Sequence, residues 1–360
     1  MSLNRLYATR FRNLNDTFID LGPGINLICG ENGSGKTSLL EAAYFLSSAR
    51  SFRTLSFDPV IQQGADDCLV RGELTRGPQH WQIGVSRSLG GSRDIRVNGE
   101  ACARASELAE LMPTLVLGPE SVDLLLGPPE SRRRFLNWGL FHVEQDFTSL
   151  WGVANRCLRQ RNYLLREGDS QSRTFMTWSA QLAESARRID LARAHYMEKY
   201  RPVFRSVVQS VCQNDDVDIV YQRGWPDKAD IADIYEREAE SDKKRGFTQK
   251  GFQRADVRIT VNNLPATKVC SRGELKALVW SLILAQGSLN GEQNTLYLID
   301  DLASEFDAAH RRRMGGFLAG TASQVLLTGV ERQALLDSCE SNQTRLFHVK
   351  HGQLTPDKTG

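Results

Sequence analysis

Residues 25–45 read INLICGENGSGKTSLLEAAYF, and this stretch decides the fold. Its apolar start, at Ile25, Leu27 and Ile28, follows the turn-forming Gly22-Pro23-Gly24 and predicts a buried strand. A glycine-rich loop comes next, and apolar residues at helical spacing then extend from residue 39 to residue 46. This order of strand, glycine-rich turn and helix is that of a phosphate-binding loop, here with the pattern Gly-x-x-x-x-Gly-Lys-Thr.

Each residue type in this loop has a chemical reason. Glycines let successive backbone N–H groups turn toward a phosphate chain, and the first helical turn adds the positive end of its dipole. Lys36 is expected to reach the β- and γ-phosphates of a nucleotide, and the Thr37 hydroxyl is expected to ligate Mg2+. The residues predicted to bind the nucleotide phosphates are Gly30, Glu31, Asn32, Gly33, Ser34, Gly35, Lys36 and Thr37.

The composition is that of a soluble globular protein with room for two modest domains, or for one large domain with an insertion. The chain has 360 residues, of which 41% are hydrophobic and 24% charged. Its net charge is only +2, so a nucleic-acid surface would have to be a local patch. The cysteines are scattered without a C-x-x-C pair, which argues against a disulfide framework and a zinc site. Without a signal-like N-terminus or an apolar stretch of membrane-spanning length, the sequence predicts a cytosolic protein.

Residues 126–213 differ in composition from the rest of the chain. They contain 14 Lys and Arg against 8 Asp and Glu, with helical periodicity almost throughout. Apolar residues recur every seven positions from Leu182 to Val203, which predicts a long helix with a narrow apolar seam, broken near Pro202. Any single arginine here is most simply a solvated helix residue, but the net charge of +6 favours a partner with a phosphate backbone. Residues 214–256 are polar and predict short elements and exposed loops.

Alternating or apolar runs bounded by turn residues predict further strands. Two strands around the turn 12–15 are expected to pack beside the strand that carries the phosphate loop, and the Asn98-Gly99 pair predicts a hairpin turn. The other predicted strands cover residues 70–74, 81–85, 94–97, 115–117 and 324–328, with a closing hairpin at 345–349 and 352–354.

The second half of the chain supplies the acidic part of a nucleotide site. Four apolar residues, 296–299, predict a buried strand that ends on Asp300 and Asp301. Asp300 is expected to hold the Mg2+ through water beside Thr37. Asp301 comes where a general base could polarise the attacking water. Alone, the two acids would suit a solvated strand end, but together with the phosphate loop they predict a hydrolytic site.

A third motif, Ser271-Arg272-Gly273-Glu274, precedes a strongly apolar helix. A hydroxyl and glycine N–H groups at a helix start form an anion site, although an ordinary helix cap would also explain them. The phosphate loop of the same chain already holds the nucleotide. We therefore expect Ser271, Gly273 and Glu274 to act in trans, with Ser271 capping the γ-phosphate bound by Lys36 of a second chain.

Taken in order, these motifs resemble the ATP-binding-cassette head of the SMC class, and more narrowly the bacterial RecF family of recombinational DNA repair. The match runs from about residue 3 to residue 352. Three stretches carry the closer resemblance, namely Phe11-Arg12-Asn13, residues 119–136 and residues 300–307. Asn137 stands where the family motif usually has Asp, and Phe306 where it usually has Leu. Thr328 falls where transporter cassettes place a switch His, so a γ-phosphate sensor there would be a hydroxyl.

The resemblance implies an α/β fold, an ABC-type P-loop ATPase head with a mixed sheet and flanking helices, plus a mainly helical second lobe with a short arm. The first lobe would comprise residues 1–125 and 290–360, and the second lobe residues 126–289, including the signature motif. It also implies ATP and Mg2+ as cofactors, and Arg12, Asn13 and Arg53 as residues near the nucleotide. Asp301 replaces the Glu of typical cassettes, and its shorter arm makes slow hydrolysis the expectation.

Function follows from the same resemblance. Such proteins bind DNA as ATP-dependent homodimers and favour junctions between duplex and single strand. They act with RecO and RecR to help load RecA on gaps, and hydrolysis, a weak DNA-stimulated activity, opens the dimer and releases DNA.

The strongest alternative of another class is the ATP-binding subunit of a transporter. Such a subunit would be expected to carry Glu at position 301, a full Leu-Ser-Gly-Gly-Gln signature and a switch His at position 328. A long-armed SMC protein would need hundreds of heptad residues between its halves, and a GTPase would carry an Asn-Lys-x-Asp motif that this sequence lacks. A scaffold that binds ATP without turning it over stays open from the sequence.

Overall fold

The structure of this chain is a computed structural model. It describes residues 1–54, 58–144, 146–168, 170, 172–291, 295–339 and 344–356. The chain divides into two compact units, the first comprising residues 1–121, 207–213 and 272–360, and the second residues 122–206 and 214–271.

The strands, numbered in chain order, are β1 Ser2–Thr9, β2 Thr17–Asp20, β3 Ile25–Cys29, β4 Asp67–Arg76, β5 Gln79–Ser88, β6 Arg93–Val97, β7 Glu100–Ala101, β8 Thr114–Leu117, β9 Val217–Gln222, β10 Asp256–Val261, β11 Leu264–Pro265, β12 Leu296–Ile299, β13 Gln324–Gly329, β14 Arg345–Lys350 and β15 Gln353–Pro356.

The helices are α1 Lys36–Ser48, α2 Ala105–Leu111, α3 Asp123–Leu126, α4 Pro129–Val143, α5 Phe147–Arg166, α6 Arg173–Cys212, α7 Ile231–Arg237, α8 Ala239–Arg245, α9 Ala266–Val269, α10 Arg272–Leu289, α11 Leu302–Glu305, α12 Ala308–Gly320 and α13 Arg332–Leu336.

The strand that carries the phosphate loop lies inside a mixed six-stranded sheet of the first unit, in the order β15-β14-β3-β13-β12-β8. Its neighbours β13 and β14 run parallel to it, while β15 closes the edge as an antiparallel hairpin. All five residues of β3 are buried, as are all of β12 and β13. Parallel strands buried on both faces are expected to be apolar, which is why the sequence predicted them correctly.

A second six-stranded sheet of the first unit is antiparallel and has the order β2-β1-β4-β5-β6-β7. The predicted strands and the hairpin turn at Asn98-Gly99 are confirmed, with both turn residues at positive φ. Strands β1 and β2, which were expected to pack beside β3, belong to this second sheet and do not pair with β3. Helix α1 packs against strands of both sheets, and its apolar residues Leu39, Leu40 and Phe45 are fully buried. The phosphate loop therefore leads directly into a helix whose apolar side chains are buried in the core.

The helix after the signature motif, α10, belongs to the first unit, whereas the sequence had placed it in the second lobe. The helix packs against β8 of the first unit, and every residue from Ala277 to Gly287 is buried. Trp280 contributes to this packing through an edge contact with Phe306, at 4.9 Å between ring centroids. Although α10 is the most apolar part of the sequence, no helix among the described residues is both long and apolar enough to cross a membrane.

The second unit holds the helices expected there, and it also contains a three-stranded antiparallel sheet, β11-β10-β9. Strand β9 lies within residues 214–256, where short elements and exposed loops were predicted, while β10 begins at the end of that stretch and β11 follows it. The predicted helix break at Pro202 was also wrong, because α6 continues through it to Cys212. A proline removes one backbone hydrogen bond, whereas the stacked rings of Tyr196, Tyr200 and Phe204 keep the helix packed on either side.

Candidate nucleotide-binding site

Glycines shape the loop between β3 and α1. Gly33 and Gly35 have φ values of 77° and 116°, a region that disfavours side chains. A Cβ on Gly30 would lie 2.4 Å from the Val349 carbonyl oxygen, so only glycine fits there. Asn32 and Ser34 complete the turn, with the Ser34 N–H donating to the Glu31 carbonyl at 3.2 Å. The loop has the tight backbone that a phosphate cradle requires.

Lys36 folds back over the loop it follows. Its ammonium group donates hydrogen bonds to the carbonyl oxygens of Gly30 and Glu31, both at 2.8 Å. The side chain is only 7% exposed. Burial lowers the pKa of Lys36 from its usual value, while the nearby carboxylates of Asp301 and Asp300 oppose this shift. A buried cation held over the loop is the group expected to meet phosphate oxygens.

Asp300 brings together the two halves of the sequence motif. The Thr37 hydroxyl lies 3.1 and 3.0 Å from the two Asp300 carboxylate oxygens, and the Thr328 hydroxyl donates to Asp300 Oδ1 at 2.7 Å. The Asp300 N–H is bound to the carbonyl of Leu117 at 2.8 Å, which fixes the end of strand β12. The structure thus places Thr37 and Asp300, 263 residues apart in sequence, within hydrogen-bond distance of each other.

Asp301 has an unusual backbone and an unsatisfied oxygen. Its φ of 54° is left-handed, which costs energy for any residue other than glycine. Its N–H donates to the Thr328 hydroxyl at 3.0 Å, and its Oδ2 accepts from the Ser304 hydroxyl at 2.6 Å. Its Oδ1 is buried without a hydrogen-bond partner among the described residues. The unpaired oxygen leaves Asp301 an acceptor for the proton of a water molecule, which a general base requires.

These residues fit a magnesium nucleotide. The Thr37 hydroxyl and the Asp300 carboxylate are hard oxygen ligands, which Mg2+ prefers. The buried, unpaired Asp301 Oδ1 leaves an acceptor available for a water molecule. The contacts of Thr328 differ from those expected of a γ-phosphate sensor. Its fully buried hydroxyl donates a hydrogen bond to Asp300 and accepts one from the Asp301 N–H. It holds the two acids, and direct contact with a γ-phosphate stays a prediction.

Two residues of the Phe11-Arg12-Asn13 motif support the loop from outside. Asn13 donates to the Gly33 carbonyl at 2.9 Å and accepts from the Ser38 hydroxyl at 2.7 Å. Arg12 makes a bidentate ion pair with Glu41, at 2.8 and 2.6 Å.

Glu41 itself was missed from the sequence. It is fully buried on α1, and Arg53 lies 3.5 Å from it as a second cation. A lone acid inside the apolar run 39–43 was the signal that could have pointed to it.

The signature residues take no part in the hydrogen bonds around Asp300. Ser271, Gly273 and Glu274 are exposed at the start of α10, and the hydrogen bonds that join Thr37, Asp300 and Thr328 involve none of them. A Cβ on Gly273 would meet open space, so the glycine leaves its backbone accessible. Lys276, on the next part of α10, pairs with Glu305 at 2.6 Å and so connects this helix to the segment that follows Asp301.

The two departures from the family motif have local partners. Phe306 is buried between Trp280 and His310, with ring centroids 4.9 and 6.0 Å away. Asn137 accepts a hydrogen bond at 3.0 Å from Arg193, which is fully buried and also donates to the Phe252 carbonyl. Burial lowers the pKa of Arg193.

The chain is similar to known proteins along nearly its whole length. Residues 2–355 match the family described as RecF/RecN/SMC N terminal domain. The chain is 39% identical over 358 residues to the DNA replication and repair protein RecF of Shewanella baltica strain OS223, with 99% of each chain covered. It is 40% identical over 360 residues to the protein of the same description from Stutzerimonas stutzeri strain A1501, covering 99% of this chain and 97% of that one.

Solved structures share the fold. The recombination mediator protein RecF bound to ATP matches with a TM-score of 0.86 at 23% identity, covering 99% of this chain and 97% of that one. An Smc head bound to the C-winged helix domain of ScpA matches with a TM-score of 0.63 at 13% identity, covering 100% of this chain and 98% of that one. The transporter alternative is not favoured, because the relatives matched along the whole chain are RecF proteins. The chain therefore belongs to the RecF/RecN/SMC N-terminal domain family of ABC-type ATPases, and within it to the RecF proteins.

Proposed function

We propose that this protein is an ATP-dependent DNA-binding protein of recombinational repair and replication. It forms an ATP-driven homodimer on gapped DNA, at junctions of single strand and duplex, and helps RecO and RecR to load RecA. The observation that carries the proposal is the contact of Thr37 with Asp300, beside the strained Asp301, in a chain that resembles RecF proteins throughout.

The residues divide the work of ATP binding and hydrolysis. Lys36 exchanges the carbonyls of Gly30 and Glu31 for phosphate oxygens. The Thr37 hydroxyl would ligate Mg2+, and Asp300 would hold the ion through water beside it. When bound, Mg2+ supplies charge that neutralises the phosphates. Asp301 Oδ1 accepts the proton of the attacking water, and Thr328 keeps both carboxylates in place. Hydrolysis is a weak activity that DNA stimulates, and it is slow because aspartate has a shorter arm than the glutamate of typical cassettes.

The dimer is needed to complete the site. Ser271, Gly273 and Glu274 of one chain approach the γ-phosphate held by Lys36 of the other chain. Exposure of these residues at the start of α10 supports this role, because a group that acts in trans must be accessible. Loss of the γ-phosphate removes the shared ligand, so hydrolysis opens the dimer and releases DNA.

The proposal is tested by anisotropy of a labelled gapped duplex at constant salt, with and without Mg-ATP. Salt must be fixed because phosphate contacts make affinity steeply salt-dependent. Binding should tighten with ATP in the wild type and not in Lys36→Ala. Equal binding with and without ATP would contradict the proposal. Measured turnover that Asp301→Asn abolishes would separately exclude a scaffold that binds ATP without hydrolysing it.

A further inference from the structure

The second unit contains a cationic cleft that the nucleotide chemistry does not use. Its volume is about 700 Å3, and the residues that give it its character are Arg223, Trp225, Arg245, Phe247, Lys250 and Arg254. No carboxylate is among the described residues that line it. In a chain whose net charge is only +2, four cations around one cleft form a local patch of positive potential.

Three of the four cations are available to a ligand. Arg223 is bound to Asp190 and to the carbonyl of Asp227. Arg245, Lys250 and Arg254 are exposed, and no carboxylate in the described part of the chain lies within ion-pair distance of any of them.

Buried polar contacts hold the backbone that carries these cations. Arg161 and Asp242 form a fully buried ion pair at 2.8 Å, and Arg161 also donates to the Thr248 hydroxyl at 2.6 Å. Asp242 in turn accepts from the Gln249 N–H at 3.1 Å. The loop that carries Lys250 is therefore tied at the two residues immediately before it. A ligand would meet groups that are already ordered, which lowers the entropic cost of binding.

The other wall of the cleft is equally close-packed. A Cβ on Gly224 would lie 1.9 Å from the Gly251 carbonyl oxygen, so the strand end at Arg223 and the loop at Gly251 touch through their backbones. The Arg223 guanidinium lies 4.4 Å over the Trp225 ring, and the Arg254 guanidinium lies 5.6 Å from the centre of the Phe247 ring. Arginine held over an aromatic face is pre-oriented, and Arg254, unlike Arg223, is not held by a carboxylate among the described residues and can bind an anion.

The lining favours a nucleic acid strand over a protein segment. Protein interfaces bury apolar and aromatic anchors in pockets, but Trp225 is only 5% exposed and leaves Phe247 as the main apolar contact. Nucleic-acid interfaces are instead polar and strongly positive, with arginine and lysine on phosphates and rings on bases. We propose that the cleft of Arg245, Phe247, Lys250 and Arg254 binds the phosphate backbone of a single-stranded segment of the DNA. This inference rests on the proposed function, since it names a place where that DNA is held.

The test is the salt dependence of DNA binding in the presence of Mg-ATP. The variant Lys250→Ala/Arg254→Ala should bind a labelled single-stranded oligonucleotide and a gapped duplex at least tenfold more weakly at low salt. For the oligonucleotide, the slope of log affinity against log salt should fall by about 1.4, because each phosphate neutralised on a single strand contributes about 0.7 to it. ATP binding should stay at the wild-type level, because neither residue belongs to the phosphate-loop site.

Two matched variants make the result specific. Lys199→Ala/Arg258→Ala removes the same charge from exposed positions of the second unit outside the cleft, and it should keep the wild-type slope. Lys250→Arg/Arg254→Lys keeps both charges and should also keep the slope. If Lys250→Ala/Arg254→Ala binds with wild-type affinity and slope, the cleft is not a phosphate site. That outcome leaves the proposed function standing, because it requires only that the wild type binds DNA with ATP. The assignment would likewise be overturned if an acidic peptide bound to the cleft without weakening DNA binding.

Discussion

The Thr328 hydroxyl donates a hydrogen bond to Asp300 Oδ1 across 2.7 Å and thereby joins the ends of the neighbouring parallel strands β13 and β12. The Thr328 hydroxyl oxygen also accepts a hydrogen bond from the Asp301 N–H at 3.0 Å. One buried side chain thus holds the acid expected to bind the metal and stabilises the left-handed backbone of the acid expected to activate water. Outer groups of this kind orient catalytic ligands without touching the substrate themselves.

Thr328→Val keeps the shape of the side chain and removes its hydroxyl. We expect ATP turnover to fall by about 10- to 100-fold, because Asp300 and the Asp301 N–H both lose their partner. Nucleotide affinity in the absence of Mg2+ should hardly change, and this readout separates positioning from general damage to the site. Thr328→Ser restores the hydroxyl and should recover most of the turnover. A Val variant as active as the wild type would show that the acids are held by other contacts.

An ion pair between Glu41, on helix α1, and Arg12, outside it, anchors the helix. Glu41 is fully buried and Arg12 is 16% exposed, so removing one partner leaves a poorly hydrated charge. Glu41→Gln should destabilise the fold by about 3 to 5 kcal/mol, measured by denaturant unfolding. Arg53→Ala should cost less than about 1 kcal/mol, since Arg53 is 45% exposed and 3.5 Å away.

A double-mutant cycle checks this assignment. If the two charges stabilise each other, Glu41→Gln/Arg12→Met should be less destabilised than the sum of the two single variants. Additive losses would mean that Arg12 and Glu41 contribute independently, through packing alone.

Asn137 offers a way to stabilise the second unit. Arg193 is fully buried, and its acceptors include the neutral oxygens of Asn137 and Phe252. Asn137→Asp places a carboxylate beside the Arg193 guanidinium with almost no change in side-chain volume. We expect a gain of about 1 kcal/mol, or a rise of about 2 to 4 °C in the melting temperature by calorimetry. Asn137→Ala should lower it, because Arg193 Nη2 then has no acceptor there. A lower melting temperature for Asn137→Asp would show that desolvating the new carboxylate outweighs the ion pair.

The sequence predicted those parts of the site that local chemistry determines. The glycines of the loop, Lys36, Thr37 and the two acids after β12 follow from patterns that span a few residues, and β3 and β12 are apolar because both faces are buried. The pairing of Arg12 with Glu41 was out of reach, because it joins residues 29 positions apart through tertiary packing.

The misjudged elements have the same explanation. Strands β9 and β10 were not predicted as strands, because they are short and the charged residues around them concealed their buried alternation at Val217, Ile219, Val257 and Ile259. The break expected at Pro202 reflects local propensity, which packing of the aromatic side chains overrides. Helix α10 was assigned to the wrong unit because apolar composition predicts burial without identifying the neighbours.

Ser271 provides the sharpest test of a shared site. Ser271→Ala should spare ATP binding to the monomer and weaken the ATP-dependent dimer, measured by light scattering.

If Ser271 completes the site of the other chain, two inactive variants should complement each other. In a mixed dimer of Lys36→Ala and Ser271→Ala, one site combines an intact Lys36 with an intact Ser271. At a protein concentration that keeps both variants fully dimeric, random mixing in equal amounts should then restore about a quarter of the wild-type turnover, since about half of the two-fold dimers are mixed and each has one complete site. If Ser271 served its own chain, each site of the mixed dimer would lack one residue and the mixture would stay inactive. Restored turnover therefore establishes action in trans, and an inactive mixture of variants that still form mixed dimers refutes it.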